Sequence, residues 1–522
     1  MVIFLNQEAR EPWAGKTSIY SYIREQGEAI DGSLPDDEAF WAGSEIRWVA
    51  GGLDGALGHH AAASGELSDG ARELVDLLAK QSRKPSRRKR AVIYSRLMKS
   101  DIIGQIDAVL GAVRKNPGMQ PGPLFEEALW LAEHGAHRNV VKFGIALLGL
   151  YHNESVKELL LTLGRHDEFT LYAVVAIRNG MEDSNDVLFE LAQQVHGWGK
   201  IHVVERLEPS RQDIKDWLLR HGCQNSIMNE YLACICARGG QLHEALSAPR
   251  VDNALFEGAT DIVQALLSGG PAEDIDDYEH APQVISDYLR LAREMASAVK
   301  HLSVVMDIRD FLSRDEDTWA EREATGWTEA LRLSQLEACR GIVASAPWES
   351  RVIEAASSDG PDHGYGVSCA RRLGIDIWER LFAQLEANPI QDSLYLELMS
   401  TDDPDRLRRL IRFAEEKLPL AQIAAGPAKE LGLGPEYAAH RCLSSLLQSL
   451  DRHEGLGTGL IAAGLSSPVV HNRNMALKAL EAWDIRFWGD ALPERVRQLA
   501  DEEPDDSVKE RIGKLMESRG LA

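Results

Sequence analysis

The chain has 522 residues, 44% of them hydrophobic, which is too apolar for general disorder and enough for several compact domains. Its 81 acidic and 57 basic residues give a formal charge of −24, so on average it repels nucleic-acid phosphates and attracts basic partners. Six cysteines without a CxxC pair read as buried free thiols, the usage of a reducing cytoplasm, and no run of 18 apolar residues offers a membrane span.

The N-terminal stretch opens with Met1-Val2-Ile3-Phe4-Leu5, which alternates briefly and lacks the basic flank of a signal peptide. Gly15-Lys16-Thr17-Ser18 resembles the end of a phosphate loop, but Arg10 stands where that loop needs its first glycine, so it reads as a chance tetrapeptide. Residues 46–70, rich in Gly, Ala and His, read as loop or weak helix. A basic island follows, ending in Arg87, Arg88, Lys89 and Arg90, and the apolar spacing then predicts one helix over 90–113. Cations at a helix start oppose its dipole, so fold stability gives little reason for them and a negatively charged partner is the functional reading. Three prolines within 116–123 mark a boundary.

From 124 to about 270 four stretches repeat at an interval of 29 residues: 140–146, 169–175, 198–204 and 227–233. One column reads Ile145, Val174, Val203, Leu232; the next reads Ala146, Val175, Val204, Ala233. An earlier column reads Leu131, Leu160, Phe189, Leu218, and Gly135, Gly164, Gln193 and Gly222 stand where helices should end. A fixed period near 30 predicts stacked helix pairs, since no pair can bury its apolar face alone. First helices are expected over 124–134, 155–163, 186–195 and 212–220. A fifth unit would put Ile262 and Val263 in the columns. Beyond it come an acidic loop at 273–279, a long helix over 283–312, and a broken stretch over 347–366. Helices then follow over 472–483, with Ala476, Ala479 and Leu480 on one face, and over 505–516.

Ser467-Pro468-Val469-Val470-His471-Asn472-Arg473-Asn474-Met475-Ala476-Leu477-Lys478-Ala479-Leu480, with the helix pairs before it, resembles HEAT repeats of the short, lyase type. That likeness covers roughly 120–270 and 435–518 and implies an α-solenoid. Val141-Lys142-Phe143-Gly144-Ile145-Ala146-Leu147-Leu148-Gly149 and His196-Gly197-Trp198-Gly199-Lys200-Ile201-His202 resemble uncharacterised bacterial proteins that carry the label limonene hydroxylase. That label implies a redox centre; His196, His202 and Glu205 are the nearest set to two histidines and a carboxylate.

The expected fold is all-α: an α-solenoid of HEAT-like helix pairs with a less regular N-terminal region. Its segments are 1–120, repeats over 121–270, a helical connector over 271–366, and a HEAT-like region over 367–522. The expected function is a non-catalytic, cytoplasmic interaction or scaffold protein with a protein or peptide partner, without nucleic acid, membrane, metal or cofactor. Arg87, Arg88, Lys89, Arg90, Trp198 and His202 are the candidate partner contacts, an aromatic anchor on a solenoid face being the common means of holding a partner. The alternatives are a monooxygenase-type hydroxylase and a HEAT-like nucleic-acid-binding protein of the DNA-glycosylase type.

Overall fold

The computed structural model describes residues 11–27, 32–44, 46–60, 67–100, 102–314, 316–345 and 347–521. The alternation at 2–5 lies outside them. Among the described residues there are 31 α-helices and no β-strand, with one isolated bridge between Glu430 and Val469. No helix among them is long and apolar enough to cross a membrane. The chain divides into two compact units, Met1–Ser297 with Val304–Ser345 and Ala298–Ser303 with Ala346–Ala522. The boundaries read at 120 and 270 both fall inside the first unit.

The first unit opens with α1 (Ile19–Gln26), the short α2 (Asp37–Phe40), α3 (Gly52–His60), α4 (Asp69–Arg83), α5 (Arg87–Leu97) and α6 (Ile106–Lys115). Ser18, Ser68 and Ser86 each accept a first-turn backbone N–H, which fixes the starts of α1, α4 and α5. Ser18 is thus a helix cap and not part of a phosphate loop. The single helix read over 90–113 is two: α5 starts earlier and the chain breaks after Leu97. There the Ser100 hydroxyl donates to the Arg96 carbonyl at 2.9 Å, a side-chain bond that competes with the helical ladder.

Next come α7 (Pro121–His134), α8 (Arg138–Leu148), α9 (Lys157–Gly164), α10 (Asp167–Gly180), α11 (Ser184–Ala192), α12 (Trp198–Val204) and α13 (Gln212–Trp217), which runs on as a π-turn over Leu218–Gly222. Pro121 starts α7 instead of separating it, because the first helical residue needs no N–H partner. α8 packs against α7 and α10, and α10 against α9, α11 and α12. Ile145, Val174, Val203 and Leu232 are all fully buried, as are Ile262 and Val263 on the later helix Asn253–Ser268. The second column divides. Val204 and Ala233 are closed, but Ala146 is only half-buried and Val175 is 40% exposed. One step along a helix turns a side chain by about 100°, so a column beside the buried one drifts toward solvent. Gly144 lets α7 and α8 touch: a Cβ there would sit 2.7 Å from the Ala132 backbone nitrogen.

The long helix read over 283–312 is also two, Ala281–Met295 and Val299–Leu312. His301 Nδ1 accepts the Ala298 N–H at 3.2 Å, capping the second one.

In the second unit, Val470–Ala482 packs against Ala438–Leu447, Thr458–Leu465 and Asp506–Arg519. Ala476, Ala479 and Leu480 are fully buried as read, and Asp505 caps the last helix. Arg473 is buried with them and holds the Glu503 carboxylate through two bonds of 2.7 Å.

Candidate functional site

The starts of α8, α10 and α12 carry polar residues where the helix bodies carry apolar ones. Arg138 and Lys142 lie on α8, Asp167, Glu168 and Tyr172 on α10, and His196 and Gly197 just before α12. Two pieces of the N-terminal chain run over them. Asp36 accepts the Arg138 N–H at 2.8 Å and pairs with its guanidinium at 3.1 Å, while Asp37 binds both Arg138 and Arg47. Asp54 on α3 pairs with Lys142 at 2.7 Å and accepts the Tyr172 hydroxyl at 3.0 Å. Glu168 accepts from Lys142 at 2.6 Å and from the Gly51 N–H at 3.0 Å.

Asp36, Asp37, Asp54, Arg138, Lys142 and Glu168 are all buried, so each needs its partners. Burial alone would lower the Lys142 pKa, but Glu168 and Asp54 outweigh it and hold it above the ordinary lysine value. Burial alone would raise Glu168; Lys142 and Arg138 outweigh it and hold the carboxylate below its usual range. Lys200, two periods after Lys142, is buried without a carboxylate partner among the described residues. It donates to the His221 carbonyl at 2.6 Å, and burial pushes its pKa down.

Beside this ionic cluster is a cavity of about 690 Å³, walled by Arg165, Asp167, Gln193, Gln194, His196, Gly197, Ser226 and Ile227 from the helix starts and by Gly27, Gly32, Val49 and Ala50 from the N-terminal chain. Burial raises the Asp167 carboxyl to about 6, against the pull of the Gly199 and Gly197 N–H groups it accepts. Ile46, Trp48, Val49 and Met228 are exposed apolar side chains, and Val49 forms part of the cavity wall.

The structure places the six sequence-read contacts in three different settings. Trp198 and His202 are 6% and 3% exposed: the residues read as partner contacts are interior, with Gly52 and Gly55 of α3 against the Trp198 ring. His202 Nδ1 stands 3.9 Å from Glu205, and no group of three metal-binding side chains occurs among the described residues. Arg90 is a fold residue. It gives Glu127, itself buried, two bonds of 2.9 and 2.8 Å and lies 4.1 Å over the Trp130 ring, while Gln81 supplies Glu127 with a further donor at 2.8 Å. Lys89 donates to the last carbonyls of α4, those of Lys80 and Lys84. Arg87 pairs at the surface with Glu11. Arg88 is exposed and has no hydrogen bond or ion pair among the described residues. Contrary to the expectation from helix-dipole repulsion, Arg90 and Lys89 therefore serve the fold.

A second polar knot ties the segment before α1 to α8. Lys16 Nζ lies 2.7 Å from His137 Nε2, and Tyr94 Oη lies 2.8 Å from Nδ1. An ammonium can only donate, so Nε2 accepts and the ring proton sits on Nδ1, toward Tyr94. Burial and the Lys16 charge both lower the His137 pKa in agreement.

The buried cluster escaped the sequence reading. One signal was present: Lys142 and Lys200 interrupt apolar helices in the same register, and a charge at a core position calls for a buried partner. Which carboxylates answer, 88 and 26 residues away for Lys142, is decided only by packing. No protein-family model matches the chain, and no curated protein matches it.

Proposed function

We propose that the chain is a non-catalytic α-solenoid of short HEAT-like helix pairs that binds a protein or peptide partner. The observation that carries the reading is the column Ile145, Val174, Val203 and Leu232, closed at every 29-residue step, with α8, α10 and α12 packed in succession. Such burial between neighbours is what stacked repeats require. Side-chain pairs in the second unit add support. Arg406 with Asp376, Arg409 with Glu379, Arg473 with Glu503, and Arg511 with Glu481 each span 30 residues, the spacing of adjacent repeats.

The partner surface we assign is the mouth of the cavity, where Trp48 and Val49 stand exposed beside polar walls. An aromatic side chain next to a polar, concave site is the common anatomy of a protein-binding hot spot. The test is a photo-cross-linking amino acid placed at Trp48, with Val92 on α5, 50% exposed, as the control position. In the cell of origin, a discrete adduct from position 48 and none from position 92 is the expected result. No adduct at 48, or the same adducts from both positions, refutes this surface.

A further inference from the structure

The segment 46–58, which closes one side of the cavity, is docked in an unusual way for part of a fold. Of its large apolar side chains, Ile46, Trp48, Val49 and Leu57 are exposed and Leu53 is half-buried, whereas Gly51, Gly52, Asp54 and Gly55 are buried. The segment is therefore held by charge and by backbone fit, with little apolar area to anchor it. The surface beneath it is firm. Lys142, Glu168, Tyr172 and Trp198 stand on α8, α10 and α12, whose other faces are closed in the apolar core.

That surface reads the segment at three points. Glu168 accepts the N–H of Gly51, which has the left-handed φ of 70° that favours glycine. Three residues on, Lys142 and Tyr172 grip the Asp54 carboxylate. One residue further, Gly55 lies against the Trp198 indole so closely that any Cβ would enter the ring. The Lys142 charge is met by Glu168 even without Asp54, so the surface keeps one ion pair when the segment leaves.

We infer that segment 51–58 is a displaceable plug, occupying in cis a site for a partner's acidic helical segment with glycine before and after the acid, while Trp48 and Val49 ahead of it stay at the cavity mouth. This rests on the reading that the chain binds protein segments, and it names the chemistry of what is bound. The site recognises a free backbone N–H, a carboxylate three residues later and a residue without a side chain next to it. A linked segment competes at millimolar effective concentration, so a partner gains access only when the plug is open.

The test uses the full-length chain carrying Gly55→Val, which expels the plug sterically and leaves the receiving residues intact. The probe is a fluorescently labelled synthetic peptide of residues 46–58, followed by anisotropy. The variant should stay folded with a lowered melting temperature, because Lys142 and Glu168 lose Asp54 and the Gly51 N–H as partners. It should bind the peptide, while the wild type binds it far more weakly. Asp54→Asn in the peptide should weaken binding about tenfold to a hundredfold, the loss of a charged hydrogen bond, with a smaller gap at high salt. A folded variant that does not bind the peptide, or that binds the asparagine peptide equally well, overturns the inference. Should Gly55→Val not fold, hydrogen exchange of the wild type decides. Amides of 51–58 exchanging about a hundredfold or more faster than those of 140–145 support a plug, and equal protection makes the segment a fixed part of the fold and refutes it. Peptide binding without a cross-link at Trp48 would refute only the surface assigned around the cavity mouth.

Discussion

Replacing Arg90 by Ser should destabilise the protein several times more than replacing Arg87, Arg88 and Lys89 together. The Arg90 guanidinium supplies two of the three donors on a carboxylate that is 2% exposed, and only the Gln81 amide remains when it is removed. Removing one partner of a fully buried pair costs about 3–5 kcal/mol. The Arg90 side chain is 21% exposed, so the low end applies, and loss of the stack on Trp130 adds about 0.5–1 kcal/mol. The sum is about 3–4 kcal/mol. The other three offer less. Arg87 and Glu11 form a largely exposed pair, about 0–1 kcal/mol. Lys89 on the α4 carbonyls contributes about 0.3–1 kcal/mol, and Arg88 contributes nothing through the described contacts. The assay is urea denaturation of the full chain followed by far-UV circular dichroism, with Arg90→Ser and the triple Ser variant side by side. A double variant, Arg90→Met with Glu127→Leu, should recover most of the loss, since no uncompensated charge stays buried. The reasoning fails if the triple variant costs as much as Arg90→Ser, or if the double variant is no better than the single.

Val174→Asp should cost about 4 kcal/mol or more and Val175→Asp less than about 1, because adjacent residues face opposite environments; equal losses in denaturation would show that the 29-residue register is misplaced. Gly144→Ala should cost about 1–3 kcal/mol in the same assay. Its Cβ would press on the Ala132 nitrogen at 2.7 Å and the Ala128 carbonyl at 3.1 Å, backbone atoms that cannot rotate away, so a neutral result would mean α7 and α8 do not approach as described. For Asp167 the folded value near 6 lies above the ordinary 3.8, so the folded state holds this proton more tightly. Its contribution therefore favours folding at acid pH and is lost as pH rises through about 6, the opposite sign to Glu168. Melting temperatures of wild type and Asp167→Asn, measured from pH 4 to pH 7, should diverge between those two values; parallel curves would refute the assignment.

Helical class, glycine-marked helix ends and the buried column Ile145, Val174, Val203, Leu232 were legible along the chain, because amphipathic period and capping are local properties. The sequence also singled out Arg90 and Trp198, but as partner contacts, whereas Trp198 is interior and Arg90 serves the buried Glu127. Helix breaks after Leu97 and Met295 were not legible, because the apolar period runs on across both; the Ser100 and His301 side-chain bonds accompany them. Tertiary structure alone decided that Trp198 lies under Gly52 and Gly55, that Glu127 receives Arg90, and that Asp54 reaches Lys142. These pairings join residues 37 to 146 positions apart. A charge announces in sequence that it needs a partner, but which partner it meets depends on how the helices stack and where the N-terminal chain is laid across them.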